Sequence, residues 1–573
     1  MAFYLSPLVD VNEIDLTTTV PAVATSIGVI VLRDTYKGPE KPHKQLITTV
    51  NDLIDTFGKP TSTANCYQDM LAATGYLRYG NALYCTRAMP VSATFAGTKA
   101  ASGAISTFTA FTTADAYKLS DFTSGDPDEF DDEVTVSGTF PFYIIANSRG
   151  AWGNNIRIAV IDYTTYNEIS SGGHSDWTTY EALAAVDSPL TDTKDFLILV
   201  QAMEQSETSY TTKEVWNVST VEARLDDSGV AKYAPIVINQ QSSYIRIAMN
   251  DAVIDGAITI STSAWQTFGG GQDNNGDSVL DATIEQSLDL YSNAEEIDVN
   301  LFIDANKSTT VKSYMVTLCE TRKDSVAILD CLYGDAVNNS GNEATDIRNY
   351  RLNTLNENTS YASLYANWLE VYDKWNGKYR WIPASGHVAG VYANTDNISD
   401  PWFAPAGLNR ALLGNVRRLA WNPTLGERDI LYKNGINPIV SFAGQGKVVW
   451  GQKTLLNKES AFNRINVRRL FMVLEKAIST ACRYFLFEPN DDLTRLLLIN
   501  MIEPFLRDVR SRRGIYEYLL ICDSSNNTAE RIDRNELWCD IYIKPVRSAE
   551  YIVLNFVATK TGASFTELTG AGA

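Results

Sequence analysis

Charge along this chain is segregated, and that segregation constrains the fold more than any single motif. Residues 101–300 carry 31 Asp and Glu against 8 Lys and Arg, a balance of −23, while the rest of the chain carries 37 against 40. Like charges at that density repel one another, and water and salt screen the repulsion only where the stretch faces solvent. The acidic stretch is therefore either a soluble acidic insert on a near-neutral core or an outward-facing acidic domain, with a basic face elsewhere meeting an acidic partner. The texture of the sequence divides in the same places. Residues 21–95 read as strand, helix, helix and strand, with an apolar strand at 27–32, helices near 51–58 and 65–79, and a strand at 82–88. Residues 96–140 are rich in Ser, Thr, Gly and Asp, with an acidic loop or solvated edge at 126–133. Short strands follow at 143–146, 156–161, 196–200, 214–218 and 236–238. A βαβ unit then begins near 297, with strands at 299–303 and 325–331 around a helix at 307–321. Long helical segments follow at 459–484 and from 492 to before Gly514, the second interrupted or kinked at Pro504. Strands at 516–522, 538–543 and 551–557 end the pattern. The predicted fold is thus a multidomain α+β and α/β chain. Residues 21–95 and 297–557 form a discontinuous α/β core, 96–296 form a mostly β insert, and 1–20 and 558–573 are extended arms.

Over 573 residues the net charge is −20, which argues against a nucleic-acid partner, because phosphate binding needs a basic surface. No run of about 18 apolar residues is present, so membrane insertion is not expected. Residues 1–11 lack a basic stretch followed by an apolar one, so no signal peptide is expected and folding is placed in the cytoplasm. The seven cysteines are odd in number and none sits in a C-x-x-C pair, which predicts buried, reduced thiols. With three histidines and no clustered ligand pair, neither structural zinc nor any other cofactor is expected.

Catalytic motifs are equally scarce. Gly444 to Lys447 and Gly451 to Thr454 hold the letters of a phosphate loop without its spacing, and a hairpin is the better reading. Ser385, Gly386 and His387 place a serine near a histidine but form no nucleophile elbow. The polar run 273–277 resembles a calcium loop, yet the bidentate Glu expected at its twelfth position falls on Ile284. The chain is expected not to be an enzyme.

Two other features suggest assembly. Strand-forming residues occupy both extremities, with Val9, Val11, Ile14 and Leu16 near the start and Phe565 near the end. They pair either within their own subunit or across to neighbours, as an unpaired strand edge allows. Basic residues gather late in the chain: residues 401–500 hold 14 Lys and Arg against 7 Asp and Glu, and Arg507, Arg510, Arg512 and Arg513 follow. Arg464 and Arg468, four apart, are expected on one side of a helix. Such like-charged pairs are mildly unfavourable unless something anionic answers them.

Several stretches, in order, resemble the contractile tail sheath proteins of bacteriophages. They are residues 4–13, 382–390 with Tyr392 and Asp396, 405–407, 431–437, 450–454, 465–470, 488–490 and 549–554. A weaker echo lies at 150–155. The resemblance covers about 1–95 and 297–573, and the acidic segment departs from it. It implies a non-enzymatic virion protein that forms a helical homo-oligomer of stacked hexameric rings around a tail tube protein. Baseplate and tail-terminator proteins are implied as further partners. It also implies that terminal arms carrying Val9, Val11, Ile14, Leu16 and Phe565 cross to neighbouring subunits, and that a metastable lattice contracts to drive the tube through the host envelope. The tube would be met by one basic cluster, Arg507–Arg510–Arg512–Arg513 before Arg464–Arg468. A sheath of a phage-derived bacteriocin or secretion system shares this core. An adhesin displaying Trp177 or Trp265 and a secreted acidic hydrolase are the readings from other classes.

Overall fold

Four consecutive apolar residues, Val29 to Leu32, are buried on both faces of their strand, as expected in a parallel sheet covered on both sides. That strand, Gly28–Arg33, lies within an eight-stranded sheet. In a computed structural model, residues 26–556 are described except 41, 125, 137–138, 171–189, 206, 227, 251–257 and 274–276. The described chain forms two compact units, Met1–Phe487 and Glu488–Ala573.

In the first unit Gly28–Arg33 pairs in parallel with Leu83–Ala88 on one side and Leu301–Ile303 on the other. Val326–Asp330, Ala362–Ala366 and Ile436–Phe442 extend the parallel order. Antiparallel strands Gln45–Ile47 and Gly446–Val449 close the two edges. Alternation along the strands feeds two cores. Ile30, Leu32 and Ile303 pack with helices Ala64–Tyr76 and Ser385–Ile398. Val29, Val31 and Phe302 pack with Asp281–Asp289 and Thr309–Arg322. Helix starts follow capping chemistry: Thr49 accepts from the Asp52 amide at 3.1 Å and Ser308 from the Val311 amide at 3.2 Å.

The acidic stretch contains two four-stranded antiparallel sheets. One runs Thr211–Ser219, Asp195–Ala202, Ile156–Asp162 and Gln266–Thr267; the other runs Ile245–Met249, Phe142–Ala146, Gly97–Ala100 and Phe108–Ala110. Their facing residues, including Ile158, Ile198, Phe142 and Ile247, share one core. The loop from Asp34 to Lys44 ties these sheets to the parallel sheet. Glu40 accepts from Arg87 of strand Leu83–Ala88 at 3.2 Å and from Arg149 Nε at 2.8 Å, with all three side chains buried. Lys37 meets Glu204 at 3.0 Å, and the Tyr244 hydroxyl donates to the same carboxylate at 2.8 Å.

The second unit holds helix Asp492–Ser511 and the antiparallel pair Ile515–Ile521 and Asp540–Pro545. The helix runs unbroken through Pro504, whose missing N–H leaves one helical carbonyl unanswered.

Several expectations change. Residues 236–238 lie on helix Ala234–Gln241, started by Pro235 near its N-terminus, and not on a strand. The acidic run 126–133 forms short helical turns, Pro127–Glu129 and Phe130–Glu133, because Phe130 is drawn into a core of Phe95, Phe122 and Tyr143. The helix expected at 459–484 begins at Ile465. Residues 551–556 form no strand within the chain, since no described strand pairs with them. Glu488 onward is a compact unit of its own.

Candidate functional site

In an α/β sheet the crevice where strand order reverses is the usual place for a ligand. Here the reversal falls between Gly28–Arg33 and Leu301–Ile303, and the polar groups there largely engage one another, although Asp330 Oδ2 makes no hydrogen bond among the described residues. Asp69 accepts from Arg33 Nε and Nη2 at 2.8 Å each and from Lys307 Nζ at 2.9 Å. Asp304 accepts from the amides of Lys307 and Asp330 at 2.8 Å, and Lys312 Nζ stands 3.2 Å from it. Asp330 accepts from the Ser385 amide at 2.7 Å, fixing the start of helix Ser385–Ile398. All these side chains are buried. Burial and the neighbouring Arg33 lower the Lys307 pKa to about 8, and burial beside Asp304 raises Asp330 to about 7. The crevice is therefore packed with internal ion pairs.

The residues that suggested chemistry prove to be structural. The Ser385 hydroxyl accepts from the Ala305 amide at 2.9 Å. His387 is buried, its pKa lowered to about 4 by desolvation and by Arg78. Gly386 lets its helix lie against Ala64–Tyr76, because a Cβ there would stand 2.1 Å from the Ala72 carbonyl oxygen. Residues 442–446 turn the expected hairpin between Ile436–Phe442 and Gly446–Val449. In the 450–454 stretch, Asn437 accepts from the Lys453 amide at 2.7 Å and donates to its carbonyl at 2.8 Å. Arg469 pairs with Asp396 through two hydrogen bonds, linking helix Ile465–Cys482 to Ser385–Ile398. The cysteines are free, five of them buried. No described helix is long and apolar enough to cross a membrane.

The sequence-derived contact residues fare differently from one another. Val9, Val11, Ile14, Leu16 and Phe565 lie outside the described residues, as does Trp177. Trp265 is half-buried under the Arg157 guanidinium, 4.8 Å from its ring. Arg464 and Arg468 do not share a helix face. Arg464 is the extended residue before the helix, and Arg468 is buried between Tyr361 and Phe462, with its guanidinium 4.3 and 4.1 Å from their rings. That burial removes Arg468 from any surface of the unit. Arg507, Arg510, Arg512 and Arg513 are exposed at the end of helix Asp492–Ser511. Arg507 reaches Glu503 at 2.9 Å and Arg512 reaches Asp508 at 3.5 Å.

Sequence reading missed a surface feature of the second unit. Tyr551, Ile552, Val553, Leu554 and Phe556 are each at least 72% exposed. Such a run of strand-forming apolar residues is far from what a lone chain normally leaves in water.

Comparison with known proteins agrees with the architecture. Residues 282–455 match the phage tail sheath protein central domain and 457–559 the phage tail sheath C-terminal domain. A tail sheath protein of Vibrio phage KVP40 is 39% identical over 55% of this chain and 50% of its own length. One from Enterobacteria phage T4 is 38% identical over 53% and 48%. The chain thus spans about half the length of these curated relatives. Two solved structures share the fold. The anti-feeding prophage helical sheath in its contracted state has TM-score 0.50 and 15% identity over 97% of this chain and 100% of its own. A sheath tail protein from Listeria innocua has TM-score 0.52 and 12% identity over 91% and 96%. The fold is the one these two sheath structures share. The chain thus carries the central and C-terminal domains of phage tail sheath proteins.

Proposed function

We propose that this chain is the sheath subunit of a contractile phage tail. In this reading it polymerises as stacked hexameric rings around a tail tube, with baseplate and terminator proteins at the ends, and it contracts to drive the tube through the host envelope. The observation that carries the reading is the exposed 551–556 segment, in the same unit as a two-stranded sheet whose outer edges have no partner among the described residues. A strand offered by another copy would satisfy both, and main-chain pairing of that kind survives while rigid bodies rotate. The arms 1–20 and 558–573 are assigned to the same exchange. The acidic 96–296 body is assigned to the outside of the cylinder, where salt screens its charge. Arg507, Arg510, Arg512 and Arg513 are assigned to modest, salt-sensitive contact with the tube. Energy is held in the lattice behind a kinetic barrier, so no nucleotide is required.

Negative-stain microscopy of the purified chain tests this. Long hollow cylinders are expected, and compact particles alone would overturn the reading. A chain lacking residues 1–15 should stay folded and form no cylinders. The triple variant Arg507→Glu, Arg510→Glu, Arg513→Glu should polymerise yet fail to retain the tube.

A further inference from the structure

A histidine of the 34–44 loop meets two neighbouring aspartates of the acidic insert, more than 80 residues further along the chain. His43 Nε2 stands 3.3 Å from Asp126 Oδ1 and 3.4 Å from Asp128 Oδ2. One ligand atom from each residue lies within 4.8 Å of the others. Nε2 is shielded from water yet makes no hydrogen bond among the described residues, although two carboxylates face it.

We propose that His43, Asp126 and Asp128 bind one divalent transition-metal ion of the zinc class, which fastens the acidic insert to the core loop. Three observations converge on this. The first is spacing. Zinc–ligand bonds of about 2.0–2.1 Å in a tetrahedron set neighbouring donor atoms about 3.3–3.4 Å apart, and both His43–carboxylate distances have that value.

The second is orientation, because both carboxylates and the backbone of His43 are already held by other groups. Arg246 Nε donates to Asp128 Oδ1 at 2.5 Å, leaving Oδ2 turned toward His43. The Asp128 amide donates to Asp126 Oδ1 at 2.9 Å. The His43 amide donates to the Glu40 carbonyl at 2.8 Å, and the Thr86 hydroxyl donates to the His43 carbonyl at 3.3 Å. Such outer partners are what hold metal ligands in place.

The third is charge. Residues 126–133 carry six carboxylates, and Arg246 answers one of them. One imidazole nitrogen and two carboxylates face a common point, and a divalent cation there would be attracted by both carboxylates at once. An imidazole in the donor set selects zinc-class ions over calcium or magnesium, which prefer all-oxygen sites. The side chains are 35%, 23% and 32% exposed, so the cluster lies near the surface although Nε2 itself is shielded.

Calorimetry of the full chain with zinc chloride, in excess magnesium to occupy non-specific acidic sites, tests the assignment. One ion per chain is expected to bind, with affinity reduced at least tenfold in His43→Gln and in Asp126→Asn and unchanged in the control Asp132→Asn. Cobalt added to the unaltered chain should give the intense visible bands of a tetrahedral site, a measurement that needs no variant to fold. Zinc should also slow proteolysis near 122–126, and chelator should restore it. Absence of saturable zinc binding, or equal binding by His43→Gln, would overturn the proposal.

Discussion

Lys307 Nζ stands 2.9 Å from Asp69 Oδ1 with both side chains sealed from water, and this pair closes the crevice between strands Gly28–Arg33 and Leu301–Ile303. Asp69 also carries Arg33, so one carboxylate compensates two buried cations.

Asp69→Ala should therefore be far more damaging than Lys307→Met. The first change removes the carboxylate that pairs with both Arg33 and Lys307 and should cost about 3–5 kcal/mol. The second leaves the Arg33–Asp69 pair intact and replaces a buried ammonium with an apolar chain of similar length, which should cost about 1 kcal/mol or less. Urea unfolding of both variants checks the order.

Stability should depend on pH through Asp330 and Lys307 with opposite signs. Asp330 is raised from 3.8 to about 7 by burial and by Asp304, so between those values the folded chain keeps a proton that the unfolded chain has released. Its contribution is present below pH 3.8 and is lost as pH rises through about 7. Lys307 is lowered from 10.5 to about 8, so its contribution is present above 10.5 and is lost as pH falls through about 8. Asp330→Asn should flatten the acidic slope, which is at most about 1.4 kcal/mol per pH unit. Unfolding midpoints at pH 5 and 7 in wild type and variant measure this.

Gly386→Ala should destabilise the first unit by about 3 kcal/mol or prevent folding, because the added methyl meets backbone rather than a side chain that can move. Gly334→Ala, where a Cβ meets nothing within 4 Å, should be nearly neutral. Thermal melts of the two variants give the contrast.

Replacing Ile552 and Leu554 with Asp should leave the unfolding transition of the isolated chain within about 0.5 kcal/mol of wild type, since both side chains are exposed. The same variant should form no cylinders. A large loss of monomer stability would show that the segment packs within its own subunit.

What the sequence revealed and what it hid follow from the range of the interactions. Val29 to Leu32 and Val326 to Leu329 announce themselves because a strand buried on both faces needs an unbroken apolar run. Residues 236–238 are just as apolar, and Pro235 at the first turn of a short helix decides against the strand. The crevice was illegible because Arg33 and Asp69 are more than 200 residues from Lys307, Asp304 and Asp330, and only folding brings them together. The same holds for His43 beside Asp126 and Asp128. Arg468 misled because four-residue spacing fixes a helix face only inside the helix, and Arg464 precedes it.

The parallel sheet has a consequence for how the chain is made. Gly28 and Val29 pair with Leu301 and Phe302, partners some 270 residues further along the chain. At about 5–20 residues per second, a ribosome needs roughly 15–50 seconds to deliver the second strand after the first. Throughout that interval the Leu83–Ala88 side of Gly28–Arg33 can be occupied, while its other edge presents bare amides and carbonyls beside an apolar face. The acidic insert is synthesised during this wait. Its 31 acidic residues against 8 basic ones over 101–300 are thus in place before the strand that closes the edge exists.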